Sequence, residues 1–247
     1  MDDPSTYYTP LRMRRPFAPG AVVGGGGGSP VTFTVLAHGT ANIGASSFPT
    51  VSVAPESNKP IYCFFGYTFN GGPPAGDCFA VAGNGLTWDR IDEQILGTGR
   101  WVAGAFRSLG ASPTPGVITI SETDAGDGLF LTGVYAIVQA NDADPSGTNG
   151  SGATGAPGAN STDSDTALGL TIPGSPGPND ATLAFFVLED GATGITADAL
   201  WTHLFTPDNA GDMSGAADWS SGADLTPTLT WTNPKRAAGI GFIVKAA

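Results

Sequence analysis

Two histidines, His38 and His203, and twenty-two carboxylates are the groups of this chain best placed to move protons. Hydrolysis by a Ser-His-Asp arrangement needs a serine raised on a sharp turn, as in Gly-x-Ser-x-Gly. That motif does not occur in the chain, and no strand-to-helix turn offers to carry one. Without it, His38 is a polar residue at a strand edge and His203, in "LWTHLF", is a packed one. Two histidines and the two distant cysteines, Cys63 and Cys78, do not have zinc-ligand spacing. Acidic groups lie close together at Asp89, Asp92 and Glu93, at Glu122, Asp124 and Asp127, and at Asp142 and Asp144. Glycoside hydrolysis needs two carboxyls facing each other across a cleft. In a chain this rich in acids such neighbours arise by chance, so no enzyme is expected and no cofactor is implied.

The most specific polar motif is "DADPSG". Asp142, Asp144 and Ser146, followed by Gly147, repeat the opening spacing of a calcium loop. The twelfth position is Ala153 instead of a bidentate acid, so the cage is incomplete and a solvated acidic loop is the competing reading. "GATGAPGAN" repeats Gly at 152, 155 and 158, too few triplets for a collagen helix. Asn160 in "NST" is a glycosylation acceptor only in a secretory protein. Five tryptophans could stack on sugar rings. Trp88, Trp101, Trp201 and Trp231 fall in strand-like runs, where packing explains them. Trp219, in "GAADWSSGAD", reads as the loop tryptophan and the candidate for surface recognition.

The elements that would position these residues are strands. Of 247 residues, 37 are Gly and 20 are Pro, and only 13% are charged. Helices need charged and long polar residues on their wet faces, so the composition points to many short strands separated by turns. Period-2 patterning begins at Val31 with "VTFTVLA" and recurs in "FPTVSVAP", "RWVAGAF", "GVITISE", "LFLTGVYAIVQA" and "PTLTWT". "IYCFFGYTF" and "ATLAFFVLE" are apolar throughout, and Asn84-Gly85 predicts a hairpin whose return strand runs from Leu86 to about Ile95. The last strand, "AAGIGFIVKA", is expected to be central. Residues 141–165 read as one long structureless loop. The expectation is an all-β body, an antiparallel two-sheet sandwich of jelly-roll type forming a single domain over 31–247. Cys63 and Cys78 are either a cross-strand disulfide or two buried thiols.

Residues 1–30 differ from the body. Pro4, Pro10, Pro16 and Pro19 favour extended chain, and Gly24 to Gly28 form a joint. Arg12, Arg14 and Arg15 against Asp2 and Asp3 give this arm +1, while the body holds seven Lys/Arg against twenty Asp/Glu, a net −13. Tyr7, Tyr8, Leu11, Met13 and Phe17 are interleaved with the arginines, which suits docking into a partner's groove. The acidic body opposes nucleic acid and anionic membranes. No run of about 18 apolar residues is present, so no membrane insertion is expected. The acidic start has no apolar leader, so synthesis in a cytoplasm without export by the usual route is expected.

The blocks "SFPTVSVAPESNKPIYCFF", "VAGNGLTWDRI", "RWVAGAF", "GVITIS" and "YAIVQANDAD…GTNGSGATG" together resemble β-sandwich modules of tailed-bacteriophage virion proteins, over about residues 45–160. The usual Val-Trp order is reversed here as Trp101-Val102. The resemblance implies a structural or adhesive role in the virion, as a minor tail protein or a capsid decoration protein. It implies contacts with other virion proteins through the arm, a homo-oligomer in the particle and, in the adhesive case, a host-surface glycan. It supplies no catalytic residue. A free carbohydrate-binding module is the alternative from another class.

Overall fold

The computed structural model describes residues 28–69, 79–95, 101–123, 130–189, 192–205, 208–209, 213–221 and 224–247. The arm residues Tyr7, Tyr8, Leu11, Arg12, Met13, Arg14, Arg15 and Phe17 lie outside this set, as does Cys78. Cys63 is a buried free thiol whose pKa burial pushes well above the usual range.

The described residues fold almost wholly into antiparallel strands, with one 3-10 turn at Thr148–Gly150. A central sheet has the order β1 (Thr32–Ala45), β8 (Phe130–Asn141), β3 (Ile61–Phe69), β6 (Trp101–Ser108), β5 (Asp89–Ile95). A small sheet joins β2 (Ser47–Pro49), β7 (Ile118–Glu122) and β4 (Phe79–Gly83). A large sheet has the order β11 (Thr196–Ala197), β15 (Thr228–Val244), β10 (Ala181–Glu189), β14 (Met213–Ser220), β12 (Thr202–His203). In it β9 (Gly158–Gly169) also pairs with β15, and β13 (Asp208–Asn209) with β14.

The expected all-β body is present, and its described strands form a stack of three sheets for a reason that lies in β3. Its side chains alternate, and both sets are apolar, so both faces need cover. Phe65 and Tyr67 meet Phe79 of the small sheet edge-on, with ring centroids 4.9 and 4.6 Å apart. On the opposite face Phe64 stacks on Phe185 at 5.3 Å and Tyr62 tilts against Phe242 at 5.0 Å, both in the large sheet. Gly66 allows this second approach, because a Cβ there would run into Val187. The resulting cluster draws buried side chains from Val31 through Val244. The far face of the large sheet carries a second cluster of Phe186, Leu188, Leu229, Trp231 and Ile243, covered by Leu170, Ile172 and Trp201.

Several expected strands shift. "PTLTWT" and "AAGIGFIVKA" are one strand, β15, which lies inside its sheet between β10 and β9. Asn84 and Gly85 form the expected turn with positive φ of 58° and 67°. The hairpin stops at a single bridge between Gly83 and Leu86, because β5 crosses over and pairs with β6 of the central sheet. The "structureless" stretch 141–165 is also corrected. Ala143 bridges Ala246, Thr154 bridges Val244, and β9 runs from Gly158.

Register gives the stack a polarity. Thr32, Asn141, Ile61, Ser108 and Asp89 share one end of the central sheet, and Ala181, Ser220 and Val244 share one end of the large sheet. The Tyr62–Phe242 and Phe33–Trp219 contacts place these two ends together. The chain enters β1 and leaves β15 at this common end, called the entry end below.

Candidate functional site

The entry end collects the first described residues, the last residues and the 142–157 loop. The Val31 N–H donates to the Asn179 carbonyl at 2.9 Å, and the Asn179 side-chain amide donates to the Gly28 carbonyl at 2.6 Å. The arm's attachment point is thus held against the turn before β10. The Ala247 N–H donates to the Asp142 carbonyl and the Asp144 N–H to the Lys245 carbonyl, both at 2.9 Å, so the final residues zip onto the 142–154 loop. A groove of about 310 Å³ opens beside them, lined by Gly155, Pro173, Gly174, Asp180, Ile243 and Lys245. Asp180 is committed to the backbone, accepting from Ala246 N–H at 2.9 Å and Gly177 N–H at 2.8 Å.

The candidate calcium residues lie in this loop. Asp144 Oδ1 accepts the Ser146 N–H at 2.8 Å, which makes it the cap of a tight turn. Asp142 adopts a positive φ of 58° and offers its carbonyl to Ala247. Among the described residues no three His, Cys, Asp or Glu side chains are grouped to hold a metal ion. Other clustered acids are similarly engaged: Asp89 accepts from Asn149 at 3.1 Å, Asp92 from the Glu93 N–H at 2.9 Å, and Glu93 pairs with Arg90 at 3.4 Å. Asp124 and Asp127 lie outside the described residues.

The structure brings His203 to Asp218, a pairing the sequence reading did not make. β12 lies beside β14 in a register that sets the two residues opposite, and His203 Nδ1 bonds Asp218 Oδ1. Asp218 is 1% exposed. The bond to Asp218 raises His203 above the usual histidine range, while burial raises Asp218 and the His203 bond opposes that rise. A hydrolytic relay needs a hydroxyl on the second ring nitrogen. His203 Nε2 is buried beside the Ile195 backbone, and among the described residues no hydroxyl is bonded to it. His38, exposed on β1, stacks on Phe205 with centroids 4.2 Å apart.

Trp219 is corrected from loop to strand. Its neighbours in "MSGAADWS" look like turn residues, but small side chains let β14 run close to the central sheet, where a Cβ on Gly215 would lie 2.8 Å from Val134. Trp219 is half-buried there, edge-on to Phe33 at 5.7 Å. Trp201 is buried with its N–H on Asp224 at 2.8 Å, Trp231 is buried, and Trp88 is half-buried. Trp101 stands on β6. The sequence reading also missed a polar cluster of Glu56, Lys59, Gln139 and Asn141 at the entry end, since some 82 positions separate its halves.

No family model, curated protein or solved structure matches the chain.

Proposed function

We propose that this chain is a structural protein of a tailed-bacteriophage virion, a minor tail protein docked by its N-terminal arm with the β-body displayed outward. The observation that carries the reading is the polarity of the body. The arm's attachment point, Gly28, is held by Asn179 beside Ala247, so the first and last described residues lie at one end of the body. A domain tethered in this way keeps its opposite end free for assembly or contact with a host-surface glycan. In the arm, Arg12, Arg14, Arg15 and Phe17 are the proposed anchors on neighbouring virion proteins, with Tyr7, Tyr8, Leu11 and Met13 filling grooves between them. The −13 body makes nucleic acid an unsuitable partner.

Strand order adds support. Seven strands, β1-β8-β3-β6 facing β2-β7-β4, follow the order of a chain wrapped as two Greek keys, the jelly-roll path used by viral capsid and lectin domains, while β5 departs from that path by pairing with β6 in the central sheet. We read residues 31–141 as such a wrap, with the large sheet packed on its back and several copies assembled in the particle.

Deletion of residues 1–23 tests the anchoring. The expected outcome is a soluble, folded body that no longer enters particles; normal incorporation of the truncated body would overturn it. Counting copies by quantitative mass spectrometry separates a tail position, with few copies, from head decoration, with about one copy per capsid subunit. Glycan binding by the isolated body, lost in Trp219→Ala, would favour the carbohydrate-binding alternative.

A further inference from the structure

Four side chains at the entry end hold a nucleophile, a base and an electrophile in mutual contact. Lys59, just ahead of β3, donates from Nζ to Asn141 Oδ1 at 2.9 Å. The same Nζ contacts Glu56 Oε2 at 2.7 Å. Gln139, wholly buried in β8, fixes both partners. Its Oε1 accepts the Glu56 N–H at 2.7 Å, and its Nε2 donates to Glu56 Oε1 at 3.2 Å and reaches Asn141 Oδ1 at 3.4 Å. The Asn141 amide nitrogen is oriented by Thr34 Oγ1 at 3.1 Å and Thr32 Oγ1 at 3.5 Å. An amine hydrogen-bonded to a carboxamide oxygen lies one bond away from the carbon it would attack, and a carboxylate on that amine is placed to take its proton.

We propose that Lys59 and Asn141 join in an intramolecular isopeptide bond, with Glu56 as the proton-transfer group and Gln139 as the group that positions it. The deprotonated Lys59 Nζ attacks Asn141 Cγ, and the new N–C bond pushes the carbonyl electron pair onto Oδ1, towards Gln139 Nε2–H. Glu56 removes a proton from Nζ and delivers it to Asn141 Nδ2. The carbonyl re-forms, the Cγ–Nδ2 bond breaks, and ammonia leaves. The balance is one amine plus one carboxamide giving one secondary amide plus ammonia, with no oxidant or cofactor. The hydrogen bond from Lys59 comes first among the causes that lower the Glu56 pKa, so the carboxylate stands ionised against Nζ. The product would lock the approach to β3 onto the end of β8 beside Thr32, where the chain enters the body. This bond is independent of the virion reading, since it needs no partner.

The test is the intact mass of the full chain, fresh and after incubation at rising pH, with circular dichroism to show that it is folded. The expected result is a species lighter by one ammonia that accumulates faster as pH rises, and a fragment in which the segments around Lys59 and Asn141 are joined. Lys59→Arg and Asn141→Ala stay at their sequence mass, and Glu56→Gln slows the conversion by roughly a hundredfold. A folded wild-type chain that keeps its full sequence mass after prolonged alkaline incubation overturns the proposal. So does an ammonia loss that persists in Lys59→Arg, which would trace to succinimide formation at an Asn-Gly pair such as Asn84-Gly85. Conversion of Glu56→Gln at the wild-type rate removes Glu56 from the mechanism.

Discussion

The two faces of the central sheet are closed by different means. Towards the small sheet, Phe65 and Tyr67 present their faces or edges to one ring, Phe79, and the strands that carry the cover are three to five residues long. Backbone pairing there is brief, and a side chain supplements it. Asn84 donates from its amide to the carbonyls of Val53, Thr114 and Gly116, at 3.2, 2.8 and 3.3 Å. Towards the large sheet, Phe64 stacks between Phe185 and Phe242, and the cover is carried by β10, β14 and the 17-residue β15. Long registers and close sheet approach hold that side, where the described side-chain bonds between layers are single ones, such as Tyr62–Thr154 at 3.4 Å and Gln94–Ser161 at 3.2 Å. Length of pairing and side-chain bonding substitute for one another across the same β-strand.

The largest effect should come from the long-strand side. Phe64→Ala removes a fully buried ring and is expected to cost about 3–5 kcal/mol in urea unfolding. Phe79→Ala, at the less buried 6% position, should fall at the lower end of that range and leave amide protection in β10 and β15 intact. Equal loss of protection in both sheets would show that the two faces do not differ as described. Asn84→Ala should cost about 1–3 kcal/mol, because three carbonyls lose a donor and a positive φ is left to alanine. Asn84→Gly relieves the backbone but not the bonds, so a glycine variant as stable as wild type would assign the role of Asn84 to the turn alone.

The smallest effect belongs to the outer face of the large sheet. Folded His203 and Asp218 both hold a proton more tightly than when unfolded, so stability falls as pH rises through their range. The His203 contribution is complete below the unfolded histidine value of about 6.5 and is lost as pH climbs through its raised folded value. Thermal melting between about pH 6 and about pH 9 should show a decline of roughly 2–4 °C that is flatter in His203→Gln. An identical slope in the variant would separate the pair from the pH dependence.

The strands apolar on both faces, β3 and β10, were legible because burial on two sides leaves its mark in every residue. β9 and β14 were not. "GANSTDSDTALG" and "MSGAADWS" have the composition of loops, and their strand character comes from the neighbours β15 and β10. The hairpin at Asn84-Gly85 was half legible. Turn chemistry is local, but the return segment is drawn away by β6, where Ser108 Oγ donates to the Thr87 carbonyl at 2.5 Å. Of the polar sites, neither His203–Asp218 nor Lys59–Asn141 follows a spacing rule. Each depends on a register between strands, which period-2 patterning does not specify.

The sandwiching of β3 between two sheets also sets the order of events on the ribosome. One side of β3 is covered once β4 and β7 have formed, when about half of the chain has been made. Its other side waits for Phe185 on β10 and Phe242 on β15, which lie more than a hundred residues beyond β3 along the chain. At about 5–20 residues per second, that face stays bare for on the order of ten seconds or more. A nascent chain in this state offers a flat aromatic surface to chaperones and to other unfinished chains, and the final seven residues of β15 decide whether it closes.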